Sequence, residues 1–124
     1  MAEVRVLLVE PEESIAVALD SYFRSRDMVV DWVRSAGEAE TRLLDGKYGV
    51  LITDLRLGTS RQPEGLALLA YARAQTPSTK AIVLTAYISP AQEQLARQGG
   101  ADVVLRRPVT LNQLAQTILD LASH

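Results

Sequence analysis

Residues 6–15 read VLLVEPEESI. Four apolar positions in succession, without the polar alternation of a half-wetted strand, point to a strand covered on both faces, the mark of a parallel sheet. The run stops at Glu10, and Pro11, Glu12 and Glu13 follow. Proline suits the first helical position and carboxylates suit the positive end of a helix dipole, so EPEE reads as a helix start with Glu12 in its first turn. Acids at the end of a buried strand also suit a hard cation such as Mg²⁺. The stretch alone leaves both readings open.

The same layout recurs along the chain. VRVLLV, MVVDWV, YGVLIT, KAIVLT and DVVL are each followed by an amphipathic or alanine-rich segment, making five βα units. The first, third and fourth runs are nearly continuous apolar and read as interior strands, whereas Asp31 inside MVVDWV places that run at an edge. Right-handed crossovers then favour an α/β fold with a five-stranded, parallel, doubly wound sheet of flavodoxin type, in strand order 2-1-3-4-5. Ser35 with Glu38, Ser89 with Gln92 and Thr110 with Gln113 have capping-box spacing, and Pro90 stands where a first-turn proline is favoured. Leu111, Leu114, Ala115, Ile118 and Leu121 share one face of the last helix. In the fourth helix, SPAQEQLARQGG, Leu95 is the one large anchor, so this helix is expected to be loosely held.

Bulk properties narrow the function. A chain of 124 residues with 48% hydrophobic content fills a single core, so residues 1–124 are expected to form one domain. With 13 Lys and Arg against 15 Asp and Glu, no broad positive field exists to draw nucleic acid or an anionic membrane. No apolar run approaches a membrane span, and MAEVRV lacks the layout of a signal peptide, so a cytoplasmic location is expected. Without cysteine there is no disulfide, thiol catalysis or thiolate metal site.

Sites in open α/β sheets form beyond the carboxyl ends of the strands. The first polar residues there are Glu10, Asp54, Thr85 and the pair Arg106 and Arg107. A cofactor phosphate would need a Gly/Ser/Thr-rich loop at a helix N-terminus, and EPEE would repel it. The set instead suits metal-assisted attack by the Asp54 carboxylate on a phosphoryl donor, with Thr85 and Arg107 contacting the phosphoryl oxygens. A plainer reading makes Asp54 a cap, Thr85 a loop residue and Arg107 a solvated cation paired with an acid.

Over essentially its whole length the chain resembles the receiver domain of two-component response regulators, through VLLVE, VLITDLRL, IVLTA and GGADVVLRRPVTLNQL in order and at the right separations. The resemblance implies that Asp54 is the phospho-acceptor and that Glu10, Asp54 and the backbone carbonyl of Arg56 hold Mg²⁺. It implies further that Thr85 is the switch hydroxyl and that the Arg107–Pro108 bond is cis. Catalysis would be limited to Mg²⁺-dependent self-phosphorylation and dephosphorylation. The implied partners are a histidine kinase or phosphotransfer protein, and a downstream protein on the fourth helix, fifth strand and last helix. A homodimer is compatible with this.

Three positions depart from the family pattern. Pro11 replaces a second acid that ligates the metal, which makes Mg²⁺ binding weak and Glu12 only a candidate substitute. Arg107 replaces a lysine, and a planar guanidinium is not a compact point charge. Val104 replaces a rotating aromatic, part of whose role Tyr87 could take. The loop GTSRQPEG also runs long, with Gly58 where a proline is usual. These departures keep a rival reading open, a pseudo-receiver that binds partners without phosphorylation. A hydrolase or flavoprotein ranks last, for want of a phosphate loop or a catalytic His or Cys.

Overall fold

A computed structural model describes residues 3–56, 64–86 and 89–123. The elements run β1 (Arg5–Val9), α1 (Glu13–Ser25), β2 (Val29–Val33), α2 (Ala36–Asp45), β3 (Val50–Thr53), α3 (Glu64–Gln75), β4 (Lys80–Thr85), α4 (Pro90–Gly99), β5 (Val103–Arg106) and α5 (Leu111–Ala122). The strands form one sheet in the order β2-β1-β3-β4-β5, and every neighbouring pair is parallel. The fold class and strand order read from the apolar runs are those observed.

Successive side chains of a strand point to opposite faces. Val6 and Leu8 of β1 therefore join Val50, Ile52, Ile82 and Leu84 in one core, closed by Leu19 and Phe23 of α1 and Leu114 and Ile118 of α5. Leu7, Val9 and Leu51 face the other way, onto Leu43 of α2 and Leu68 of α3. On that second face Val83 meets Leu69 of α3 and Ala96 of α4. Each fully buried large side chain contributes roughly 1.5–3 kcal/mol by leaving water, and Phe23 is wholly inaccessible.

Three local expectations need correction. Helix α1 begins at Glu13 with Glu12 as its extended N-cap, so Pro11 lies ahead of the first helical residue and Glu12 is outside the first turn. The cause is Glu10, whose Oε2 accepts the Glu12 N–H at 3.0 Å and holds the chain in a turn before the helix starts. In α4 the buried residue is Ala96, while Leu95 is 52% exposed, since adjacent helical residues point to different faces and it is the alanine that faces the core. Leu111, first residue of α5, is also exposed, leaving Leu114, Ala115 and Ile118 to anchor that helix. The reciprocal capping box forms fully at Ser89 and Gln92. At Ser35 only the hydroxyl half forms, because the Glu38 carboxylate accepts the N–H of Arg34 instead.

Asp31, the acid inside the edge strand, has a buried partner. The Tyr48 hydroxyl donates to Asp31 Oδ2, and the Arg5 guanidinium stands 3.7 Å from the same oxygen and 5.2 Å from the Tyr48 ring centre. Burial, then the Asp31 hydrogen bond and charge, push the Tyr48 phenol up from 10.0 to about 12. Between pH 10 and pH 12 the folded chain keeps a proton that the unfolded chain has lost, so this contribution is intact below that window and lost on rising through it. Urea unfolding across that range should show stability falling with pH, and Tyr48→Phe should flatten the fall.

Candidate functional site

Parallel strands put all their carboxyl ends on one edge of the sheet, and β1, β3 and β4 bring Glu10, Asp54 and Thr85 there. Glu10 follows β1 and is buried, its N–H donating to Val33 O at 3.0 Å as a continuation of the β1–β2 ladder. Its own carbonyl accepts the Trp32 indole N–H at 2.8 Å. Trp32 therefore does more than pack on the edge strand. It ties the edge strand to the site.

Both Glu10 carboxylate oxygens are engaged. Oε2 takes the Glu12 N–H at 3.0 Å, and Oε1 takes a guanidinium N–H from Arg107 at 3.1 Å. Arg107 is set in place by its main chain, whose N–H donates to Thr85 O at 2.7 Å just beyond the β4–β5 ladder. Thr85 ends β4 and is buried, and the Arg107–Pro108 peptide is cis, as the resemblance implied. The plainer reading of Arg107, a cation paired with an acid, describes its contact with Glu10, but the pair is largely shielded from water.

Asp54 follows β3 and is half-buried. Its Oδ1 accepts two main-chain N–H groups, from Leu55 at 2.6 Å and Arg56 at 3.4 Å, which orient the carboxylate without a cation. Among the described residues Asp54 enters no ion pair. Its carbonyl accepts the hydroxyl of buried Thr53 at 2.9 Å, and Gly65 of α3 packs behind it, donating its N–H to Leu55 O at 2.9 Å. Sequence reasoning passed over both residues. Thr53 stood only as the polar end of an apolar run, and Gly65, read as the last residue of the loop GTSRQPEG, lies instead in the first turn of α3.

A divalent ion would need oxygen ligands gathered around Glu10 and Asp54. The Pro11 side chain offers none, Glu12 is an exposed cap residue, and a guanidinium stands on Glu10. Among the described residues no group of three or more acidic, His or Cys side chains could hold a metal. The residues present do not fit a carboxylate Mg²⁺ site. Tyr87, Gly58, most of the loop GTSRQPEG and His124 lie outside the described residues.

On the adjoining face, Ser89, Pro90 and Glu93 of the α4 start and Val104 and Arg106 of β5 line a cleft of about 300 Å³. Leu95 adds exposed apolar surface to α4. Among the described residues no helix is long and apolar enough to cross a membrane.

Comparison with known proteins agrees with this geometry. The family model for the response regulator receiver domain matches residues 6–119. The alginate biosynthesis transcriptional regulatory protein AlgB of Pseudomonas putida is 32% identical over 110 residues, covering 89% of this chain and 24% of its own. The chain spans between 24% and 49% of the length of the curated relatives it matches. A CheY-like receiver domain protein from Methanospirillum hungatei superposes with a TM-score of 0.90 at 21% identity, covering 98% of this chain and 95% of that one. A response regulator from Burkholderia pseudomallei, solved with a phosphorylated aspartic acid, calcium ion and citrate, has a TM-score of 0.86 at 26% identity and covers 98% of this chain and 69% of that one.

Gly65 allows a direct test of how tightly Asp54 is held. A Cβ there would lie 2.0 Å from Asp54 O and 2.6 Å from Leu55 Cα, both main-chain atoms. Helix propensity favours alanine over glycine by about 1 kcal/mol, whereas forcing atoms into a filled space costs roughly 1–3 kcal/mol or more. At so short a distance the clash wins. Gly65→Ala should lower the urea midpoint, where propensity alone would raise it.

Proposed function

Because the chain belongs to the response regulator receiver domain family, we propose that Asp54 accepts a phosphoryl group from a histidine kinase or phosphotransfer protein. The observation that carries this reading is the Asp54 carboxylate itself, at the carboxyl end of a central strand with Oδ1 held by two main-chain N–H groups. In the transfer, a carboxylate oxygen attacks phosphorus, the bond from phosphorus to the donor's imidazole nitrogen breaks, and the imidazole leaves with the electron pair. An acyl phosphate results. The family generally uses Mg²⁺ to offset charge in this step. The Glu10, Pro11 and Arg107 arrangement does not fit that ion.

The acyl phosphate adds negative charge close to Thr85 and Arg107, at the start of the connection into α5, and so biases the conformations of that end of the sheet. The face formed by α4, β5 and α5 then engages a downstream protein, with Leu95 as an apolar contact and the cleft of mixed polarity beside Val104 next to it. The activity is confined to self-phosphorylation and dephosphorylation. One observation favours a second reading. With Arg107 already bonded to Glu10, that cation is engaged without a phosphoryl group, which suits a phosphorylation-independent interaction module.

Incubation with acetyl phosphate and, separately, with a phosphorylated histidine phosphotransfer protein distinguishes the two. Intact mass should show one phosphate on the wild type and none on Asp54→Asn. Failure of both donors to modify the wild type would establish the second reading.

A further inference from the structure

The carboxylates at this edge are those of Glu10 and Asp54, and Glu10 is already paired. Its carboxylate has one oxygen on the Arg107 guanidinium at 3.1 Å and the other on the Glu12 N–H at 3.0 Å. The pair is poorly hydrated, with side-chain exposures of 29% for Arg107 and 10% for Glu10, so bulk salt screens it less than a surface bridge. Its two halves are also anchored independently by main-chain bonds, Glu10 N–H to Val33 O and Arg107 N–H to Thr85 O.

We infer that Arg107 is the resident cation of this receiver domain, standing at Glu10 in place of a divalent metal and excluding Mg²⁺ from the site. Arginine remains protonated at any ordinary pH, so an incoming ion cannot be accommodated by proton loss. A Mg²⁺ ion reaching Glu10 would have to expel the guanidinium from its hydrogen bond and then share the site with that positive charge. It would gain little in exchange, since the Pro11 side chain supplies no oxygen and Glu12 is an exposed cap residue. Mg²⁺ also gives up its hydration reluctantly, and with Glu10 contested Asp54 is the one carboxylate of the two left without an ion pair among the described residues. Pro11 and Arg107 thus act together, one withholding a ligand and the other filling the charge.

The chain carries its own reporter. Trp32 is the one tryptophan, and its indole donates to the Glu10 carbonyl at 2.8 Å. MgCl₂ is titrated into the wild type, Arg107→Met and Arg107→Gln at matched ionic strength, read by Trp32 fluorescence and by calorimetry, with circular dichroism establishing that each variant folds. The wild type should give no saturable response into the tens of millimolar. Both variants should bind saturably and at least about tenfold more tightly, the change expected when a charged hydrogen bond is released. Adding Pro11→Asp to either should tighten binding again. Saturation of the wild type at low millimolar Mg²⁺ would overturn the inference, as would variants that bind no better than the wild type. If Arg107→Met gains the ion and Arg107→Gln does not, charge is not what excludes it and the inference is likewise overturned. No phosphoryl donor enters the titration, so its outcome is read separately from phosphorylation of Asp54.

Discussion

The interior strands β1, β3 and β4 bury both faces, and most other features of the molecule answer that constraint. A parallel ladder covered on one side only would leave alternate apolar side chains in water. Helices must therefore lie on both faces, α1 and α5 on one and α2, α3 and α4 on the other. Parallel strands also end on one edge, so residues far apart in the chain become neighbours there. Glu10 and Arg107 are 97 positions apart and share a hydrogen bond.

At that edge the electrostatics are settled by main-chain geometry as much as by side chains. Asp54 is oriented by two N–H groups, and its carbonyl is held by Thr53 with Gly65 behind it. Glu10 is placed by the β1–β2 ladder and by the indole of Trp32. Two carboxylates at the end of one sheet therefore differ in character. One meets a guanidinium and is internally neutralised, while the other faces only peptide dipoles among the described residues. The main chain thus orients the Asp54 carboxylate, while Arg107 engages that of Glu10.

The opposite end of the sheet uses a different device. Asp31, Tyr48 and Arg5 lock the edge strand to the turn before β3, and Thr79 adds a hydroxyl bond to the Tyr48 carbonyl at 2.8 Å. An acid inside a strand thereby becomes an internal tie, which explains how β2 tolerates Asp31.

Sequence by itself determined the five βα units, the interior and edge strands, the strand order and the list of residues at the strand ends. It could do so because apolar periodicity and helix capping are local: each is set by residues within a turn or a strand of one another. The same locality explains its errors. It saw a proline before glutamates and read a helix start two residues too early, because the bond from Glu10 that delays the helix depends on how a buried side chain turns. It took Leu95 for an anchor by size, when Ala96 is the residue of α4 that faces the core. Only the tertiary structure decided which partners the strand-end residues take, since charge pairing depends on distance across the sheet edge. That is how Arg107, read from sequence as an anion contact, came to rest on Glu10, and how EPEE ends with its buried carboxylate on a guanidinium.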